Sequence, residues 1–233
     1  MKKRDVIYIL RNDIEPQELR YSLRSLQNFT HGKVWFFGGE PAYLKANRQV
    51  YIAQRGATPW ERSTFTIQAI CNSDETPEEF WLFNDDFFIM KPLKDLGPRY
   101  NGDLWKHAAH IEQRHGGRVS AYTAQLRRTA EALESAGFQT RNYAMHIPML
   151  INKKNAQETL ARFPHVPMFR SLYGNMHDIG GEDMPDVKIA TITQKPAEDA
   201  ELLSTADNSW LVGEVGRFIR ERFPEPCEYE TDR

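Results

Sequence analysis

Cysteine is nearly absent from this sequence: Cys71 and Cys227 are the two in 233 residues, far apart, in no CxxC pair and in no metal-ligand spacing. That excludes a disulfide scaffold and a structural zinc site, and makes a reducing cytoplasm the expected compartment. Long apolar runs are lacking as well. The amino-terminal run Val6-Ile7-Tyr8-Ile9-Leu10 is ended by Arg11, Asn12 and Asp13, too soon for a secretory signal. No stretch approaches the roughly 18 apolar residues of a membrane span. Nor is there an excess of either charge: 30 Lys and Arg against 32 Asp and Glu leave a formal charge of −2. Global electrostatics therefore gives no reason to bind nucleic acid or an anionic membrane. There is no internal repeat, no low-complexity tract, and no glycine-rich dinucleotide or P-loop fingerprint.

What is present is apolar mass: 40% hydrophobic residues, with 13 Phe, 9 Tyr and 5 Trp. This is enough for one domain over residues 1–233 with a sizeable core. Short β-rich runs alternate with helical patterns, the signature of an α/β fold with a mostly parallel central sheet flanked by helices. Strands are expected at residues 6–10, 33–37, 50–53, 79–83, 87–90, 144–151 and 187–193. Helices are expected at 15–29, 60–71, 120–136, 155–163 (Asn155 and Glu158 forming a capping box) and 208–223. Trp105-Lys106-His107-Ala108-Ala109-His110 reads either as a strand under the cleft or as a helix with two histidines on one face, the strand being preferred over a metal site. Residues 174–185 are expected to form a mobile loop over the site.

The most informative point is Asn84-Asp85-Asp86 between two intensely apolar runs. A carboxylate beside Phe83, Phe87 and Phe88 is costly to desolvate, so it must be paired, hydrogen-bonded, bound to a cation or placed at the lip of a cleft. Ligands bind at the carboxyl ends of strands in open α/β sheets, and hard oxygen ligands suit Mg²⁺ or Mn²⁺ bridged to phosphate. Neighbouring side chains of a regular strand face opposite ways, so Asp85 and Asp86 share a ligand only where the strand bends. The alternative is a turn with capping duties. His146 in His146-Ile147-Pro148 is a candidate base, with the core or surface histidine as its alternative. Arg170, in Phe169-Arg170-Ser171, can clamp phosphate or end in an exposed salt bridge. Arg11 and Asn12 end the first strand just before a helix, where a nucleotide phosphate fits.

Four segments, in order, resemble the Stealth family, sugar-1-phosphate transferases of capsular polysaccharide synthesis that include the lysosomal-enzyme N-acetylglucosamine-1-phosphotransferase. They are Glu18-Leu19-Arg20-Tyr21-Ser22-Leu23-Arg24-Ser25; Thr64-Phe65 and Ala69-Ile70 with Phe83-Asn84-Asp85-Asp86; His146-Ile147-Pro148 with Phe163-Pro164 and Phe169-Arg170-Ser171; and Asp207-Asn208 with the Phe223-Pro224-Glu225-Pro226-Cys227 tail. The chain departs from that pattern at Leu10-Arg11-Asn12-Asp13, where the family carries V-D-G. It departs also at Cys71, in place of an acid, and at Cys227, in place of a serine.

The resemblance implies a GT-A-like (Rossmann-like) domain and metal-assisted transfer of a sugar-1-phosphate, or of the sugar, from a nucleotide-sugar to an acceptor hydroxyl, that of a glycan being the one expected. It implies Asp85 and Asp86 as ligands of Mg²⁺ or Mn²⁺, and His146, Asp86 and Arg170 as catalytic. Arg11, Asn12, Arg24, Asn84 and Asn208 are then expected to bind the donor. Two other readings are a glycosyltransferase acting on a hydroxylated DNA base or other macromolecule, and a glycan-binding scaffold without catalysis.

Overall fold

The computed structural model describes residues 3–45, 49–93 and 96–231. In chain order the elements are β1 (Asp5–Leu10), α1 (Gln17–Ser25), β2 (Val34–Gly38), β3 (Gln49–Tyr51), α2 (Pro59–Asn72), β4 (Glu79–Asn84), β5 (Phe87–Ile89) and β6 (Arg99–Tyr100). There follow α3 (Leu104–Arg114), α4 (Ala121–Ser135), β7 (Met149–Asn152), α5 (Lys153–Arg162), α6 (Phe169–Met176), β8 (Glu182–Asp183), β9 (Lys188–Ile189), β10 (Leu202–Thr205), α7 (Asp207–Leu211) and α8 (Glu214–Arg222).

The central sheet runs β3-β2-β1-β4-β7, parallel except for the edge strand β7. The expected class, α/β with a mostly parallel sheet between helices, is the one observed. Its strands are continuous apolar runs because both faces are covered. Val6, Tyr8 and Leu10 join Trp81 and Phe83 in a core under α1, while Ile7 joins Phe37, Phe80 and Leu82 in a second core under α2, α5 and α6. A smaller sheet, β5-β10-β9, packs on α7 and α8. Among the described residues no helix is long and apolar enough to cross a membrane.

Local chemistry sets the boundaries. α2 opens with a capping box between Thr58 and Glu61, with Pro59 in its first turn. Gly38 and Gly39 end β2 against the end of β1; a Cβ on Gly38 would lie 2.0 Å from Leu10 O, and one on Gly39 2.2 Å from Arg11 O. Only glycine permits that approach.

Several sequence expectations are corrected. The 105–110 segment is helical, within α3, because Asp103 caps the Lys106 N–H and Leu104 and Ala108 face a core. The cap of α5 is Asn152, not Asn155. The last helix is two, broken before Gly213, whose Cβ would meet Ser209 O at 2.5 Å; Leu211 is exposed. The 144–151 strand shortens to β7, and residues 144–148 approach it without pairing. The region 174–185 is pinned rather than free: Gly174 lies in α6 against the Tyr143 ring, the Tyr143 hydroxyl donates to Gly180 O, and β8 pairs with β6. The strand β10 was not foreseen.

Candidate active site

The chain steps from β1 outward through β2 to β3, then returns to the other side of β1 as β4. Between the carboxyl ends of β1 and β4 lies the topological switch point, where α/β sheets open a ligand crevice. Arg11 emerges from one lip and Asn84-Asp85-Asp86 from the other.

The strand does bend at the aspartates. β4 pairs with β1 as far as Asn84, Asp85 and Asp86 make a turn, and β5 leaves for the smaller sheet. Helix α1 and the turn after it hold it there: Ser22 Oγ donates to Phe87 O at 2.5 Å, Ser25 Oγ accepts from Ile89 N at 3.0 Å, and Asn28 Nδ2 donates to Ile89 O at 2.9 Å. Two polar side chains of α1 and one from the turn that follows it thus satisfy one edge of β5.

Asp86 accepts from Lys188 Nζ at 3.2 Å and Ser204 Oγ at 2.9 Å. Asp85 has no such partner among the described residues, and burial, followed by the charges of Asp86 and Glu18, pushes its carboxyl up to about 8. Glu18, from the first turn of α1, accepts from Thr205 Oγ1 at 2.7 Å and is pushed up to about 7, chiefly by burial. Arg11 lies within electrostatic reach of Asp85 and Asp207 but forms a bidentate pair with Asp13, at 2.9 and 3.0 Å. Asn12 donates to Ile52 O at 3.3 Å. Asn208 is exposed in the first turn of α7. Among the described residues no group of three or more His, Cys, Asp or Glu is gathered so as to hold a metal ion.

On the β7 side, His146 and Arg170 share a cavity of about 160 Å³ with Asn84. His146 is half-buried between buried Met145 and Ile147. Its Nδ1 lies 2.6 Å from Asp186 Oδ2, and its backbone N–H donates to Asp186 Oδ1 at 3.0 Å. Burial acts to raise the Asp186 carboxyl, but the hydrogen bonds and charge of His146 outweigh it and hold the group below the ordinary range. An acceptor on Nδ1 places the ring proton there and leaves the Nε2 lone pair free; Nε2 has no partner among the described residues.

Arg170 is not the exposed salt bridge of its alternative reading. Its Nη1 donates to Ile147 O at 2.6 Å, its Nη2 to Leu82 O and Asn84 Oδ1, both at 3.3 Å, and its guanidinium covers the Phe87 ring at 5.2 Å. Burial lowers it to about 10, and no carboxylate among the described residues lies within ion-pair distance. It is a fixed positive charge available to an anion.

Arg24, expected on the donor, is engaged by the carboxyl-terminal tail. Glu230 takes its Nε at 2.7 Å and Nη2 at 2.9 Å, and the carbonyls of Phe223 and Pro224 take Nη1. With Arg20 on the same carboxylate at 3.0 Å, it straps the carboxyl-terminal tail to α1. Cys71 is a core residue of α2. Sequence reasoning missed Asp186, Lys188, Ser204 and Glu18 as site residues. Glu18 was legible, being the acid of the ELRYSLRS helix; nothing local distinguished Asp186 from its acidic neighbours.

No protein-family model and no curated protein matches this chain. Solved structures of similar outline include the galactosyltransferase LgtC in complex with donor and acceptor sugar analogues, with a TM-score of 0.48 and 10% identity over 96% of each chain. An active-site mutant of LgtC gives 0.46 and 10% over 94% of each. The apo-form glycosyltransferase GlyE of Streptococcus pneumoniae TIGR4 gives 0.46 and 12% over 96% of this chain and 61% of that one.

Proposed function

We propose that this chain transfers a sugar-1-phosphate, or a sugar, from a nucleotide-sugar donor to an acceptor hydroxyl, with His146 as the general base. The observation that carries this reading is the Asp186–His146 pair beside the β1/β4 crevice, with Nε2 unpartnered among the described residues and Arg170 lining the same cavity. An imidazole held in one tautomer by a carboxylate is built to accept a proton. The ordered likeness to the Stealth segments supports the same chemistry.

In the reaction the acceptor O–H proton passes to His146 Nε2. If the acceptor oxygen bonds to the sugar-bearing phosphorus, the bridging P–O bond breaks and a nucleoside monophosphate leaves. If it bonds to the anomeric carbon, the C–O bond breaks and a nucleoside diphosphate leaves. Arg170 and Arg11 supply positive charge to the phosphate oxygens, and Asn84 fixes Arg170. Lys188 and Ser204 orient Asp86.

Asp85 and Asp86, at the lip of the crevice, are the residues that would hold a divalent cation. Mg²⁺ is commonly held by one or two carboxylates with substrate phosphates completing its shell, so Asp85 and Asp86 suffice as protein ligands. Such an ion would neutralise charge on the diphosphate.

The test is incubation of the purified protein with several nucleotide-sugars, with Mg²⁺ or Mn²⁺ and without, resolving nucleoside mono- from diphosphate. Release of monophosphate identifies phosphosugar transfer, and release of diphosphate identifies sugar transfer. Release of neither, with no nucleotide binding by calorimetry, refutes the proposal and leaves a non-catalytic scaffold.

A further inference from the structure

The cavity that His146 lines is more than the space in front of a base. Its lining includes two aromatic rings that pack together: Trp60, at the start of α2, and Tyr122, at the start of α4, have ring centroids 6.4 Å apart and planes 27° from parallel. His107 of α3 meets the Tyr122 ring edge-on at 6.4 Å and 87°, fixing it from behind. Ser63 and Thr64, one turn along α2 from Trp60, line the same space.

These groups are also unspent. The Trp60 indole N–H, the Ser63, Thr64 and Tyr122 hydroxyls and His146 Nε2 make no side-chain hydrogen bond within the described residues. They are not sealed in the core, since the one buried side-chain polar atom without a partner among the described residues is Gln49 Oε1, which lies elsewhere. Two near-parallel aromatic rings together with five hydrogen-bonding groups that have no partner among the described residues are mismatched to a lipid chain or an aliphatic side chain. They match a pyranose, whose C–H face stacks on aromatic rings while its hydroxyls take hydrogen bonds around the rim. At about 160 Å³ the space suits one ring rather than a chain of them.

Position decides which sugar this is. The molecule that must touch His146 Nε2 is the acceptor, and the donor phosphates belong at the β1/β4 lips with Arg11, Asp85 and Asp86. We propose that this cavity is the acceptor subsite, taking one terminal pyranose of a glycan on Trp60 and Tyr122 and presenting its hydroxyl to His146. The inference rests on the transferase reading and adds to it the residues that choose the acceptor.

Saturation-transfer NMR with methyl α- and β-pyranosides of glucose, galactose, mannose and N-acetylglucosamine tests it on the full chain, with calorimetry of nucleoside diphosphates run in parallel. At least one glycoside is expected to receive saturation on its ring C–H protons. Trp60→Ala is expected to weaken that glycoside about tenfold or more. The shape-preserving Tyr122→Phe and Ser63→Ala should each weaken it about threefold to tenfold. Nucleotide affinity is expected to stay unchanged in all three.

Glycoside binding that is equal in wild type and all three variants overturns the subsite. So does a Trp60→Ala protein that loses nucleotide instead of glycoside, which would assign the two rings to a base. If nucleotides bind and no glycoside of the panel does, the subsite fails and the transferase reading stands. If glycosides bind as expected and no nucleotide does, the sugar site stands and the donor reading fails.

Discussion

Asp186→Asn isolates what the carboxylate does for His146. The substitution is nearly isosteric, and Oδ1 can still accept the His146 backbone N–H, now 3.0 Å away. What changes is the contact at 2.6 Å, where an amide N–H₂ replaces the carboxylate oxygen facing Nδ1. Two donors cannot share that contact, so the ring either swings away or moves its proton to Nε2, the atom that must take the acceptor's proton. Either outcome disables the base, and a positioned general base contributes about a hundredfold to ten-thousandfold. The turnover number is therefore expected to fall by about that factor while the donor KM stays within about twofold.

Two measurements check this. Nucleotide release under saturating donor gives the rate, and ¹⁵N-resolved NMR of the imidazole gives the tautomer, expected to be Nδ1–H in the wild type and Nε2–H in the variant. Residues that act as a unit are non-additive, so Asp186→Asn should add almost nothing to His146→Gln. The reasoning is refuted if Asp186→Asn keeps its rate within about twofold of wild type, or if it lowers the rate equally in the His146→Gln background.

Other expectations follow from the same contacts. Asp85 is raised to about 8 in the fold, so the native state binds more protons than the unfolded chain and stability falls as pH rises from about 4 to about 8. Thermal melts across that range should show the decline in wild type and a flatter profile in Asp85→Asn. Glu230 has the opposite sign: burial acts to raise it, but Arg24, the Cys227 N–H and Arg20 hold it low. Its contribution is present above the ordinary carboxylate range and lost as pH falls through the lowered value. Glu230→Ala, leaving two guanidiniums without their shared carboxylate, should cost about 3 kcal/mol by urea unfolding near neutral pH. Arg170→Met strands the acceptors of Ile147, Leu82 and Asn84. A drop of about 2–3 kcal/mol, or roughly 5–10 °C in Tm, is expected by calorimetry.

Much of the framework was legible because it depends on local pattern. β1, β2 and β4 are announced by runs of Val, Ile, Phe and Trp, and these strands and α2 each fall within a residue or two of their expected bounds. The misplacements have separate causes, a pairing partner far off in the chain in one case and local packing or capping in the others. The 144–151 run reads as one strand by composition, yet only its last part meets β4. The 208–223 helix reads as continuous by periodicity, yet Gly213 packs too tightly on Ser209 to carry it through. The 105–110 segment lacked a local signal strong enough to outweigh its aromatic and histidine content, and the Asp103 cap with the apolar stripe of α3 decides it.

The site divides in the same way. Asn84-Asp85-Asp86, His146 and Arg170 stand out in the sequence because polar groups set in apolar surroundings need a reason to be there. The sequence alone therefore determined the α/β class, the sheet's buried character and the identity of these chemically expensive residues. Tertiary structure alone decided which partner each one meets: Asp186 reaching His146 across forty residues of chain, Lys188 and Ser204 reaching Asp86, Glu230 pairing with Arg24, and Trp60 and Tyr122 lining the cavity that His146 lines. Burial makes a lone charge costly and can be read along the chain. The group that relieves the cost can come from anywhere the fold brings near, and that is set by packing.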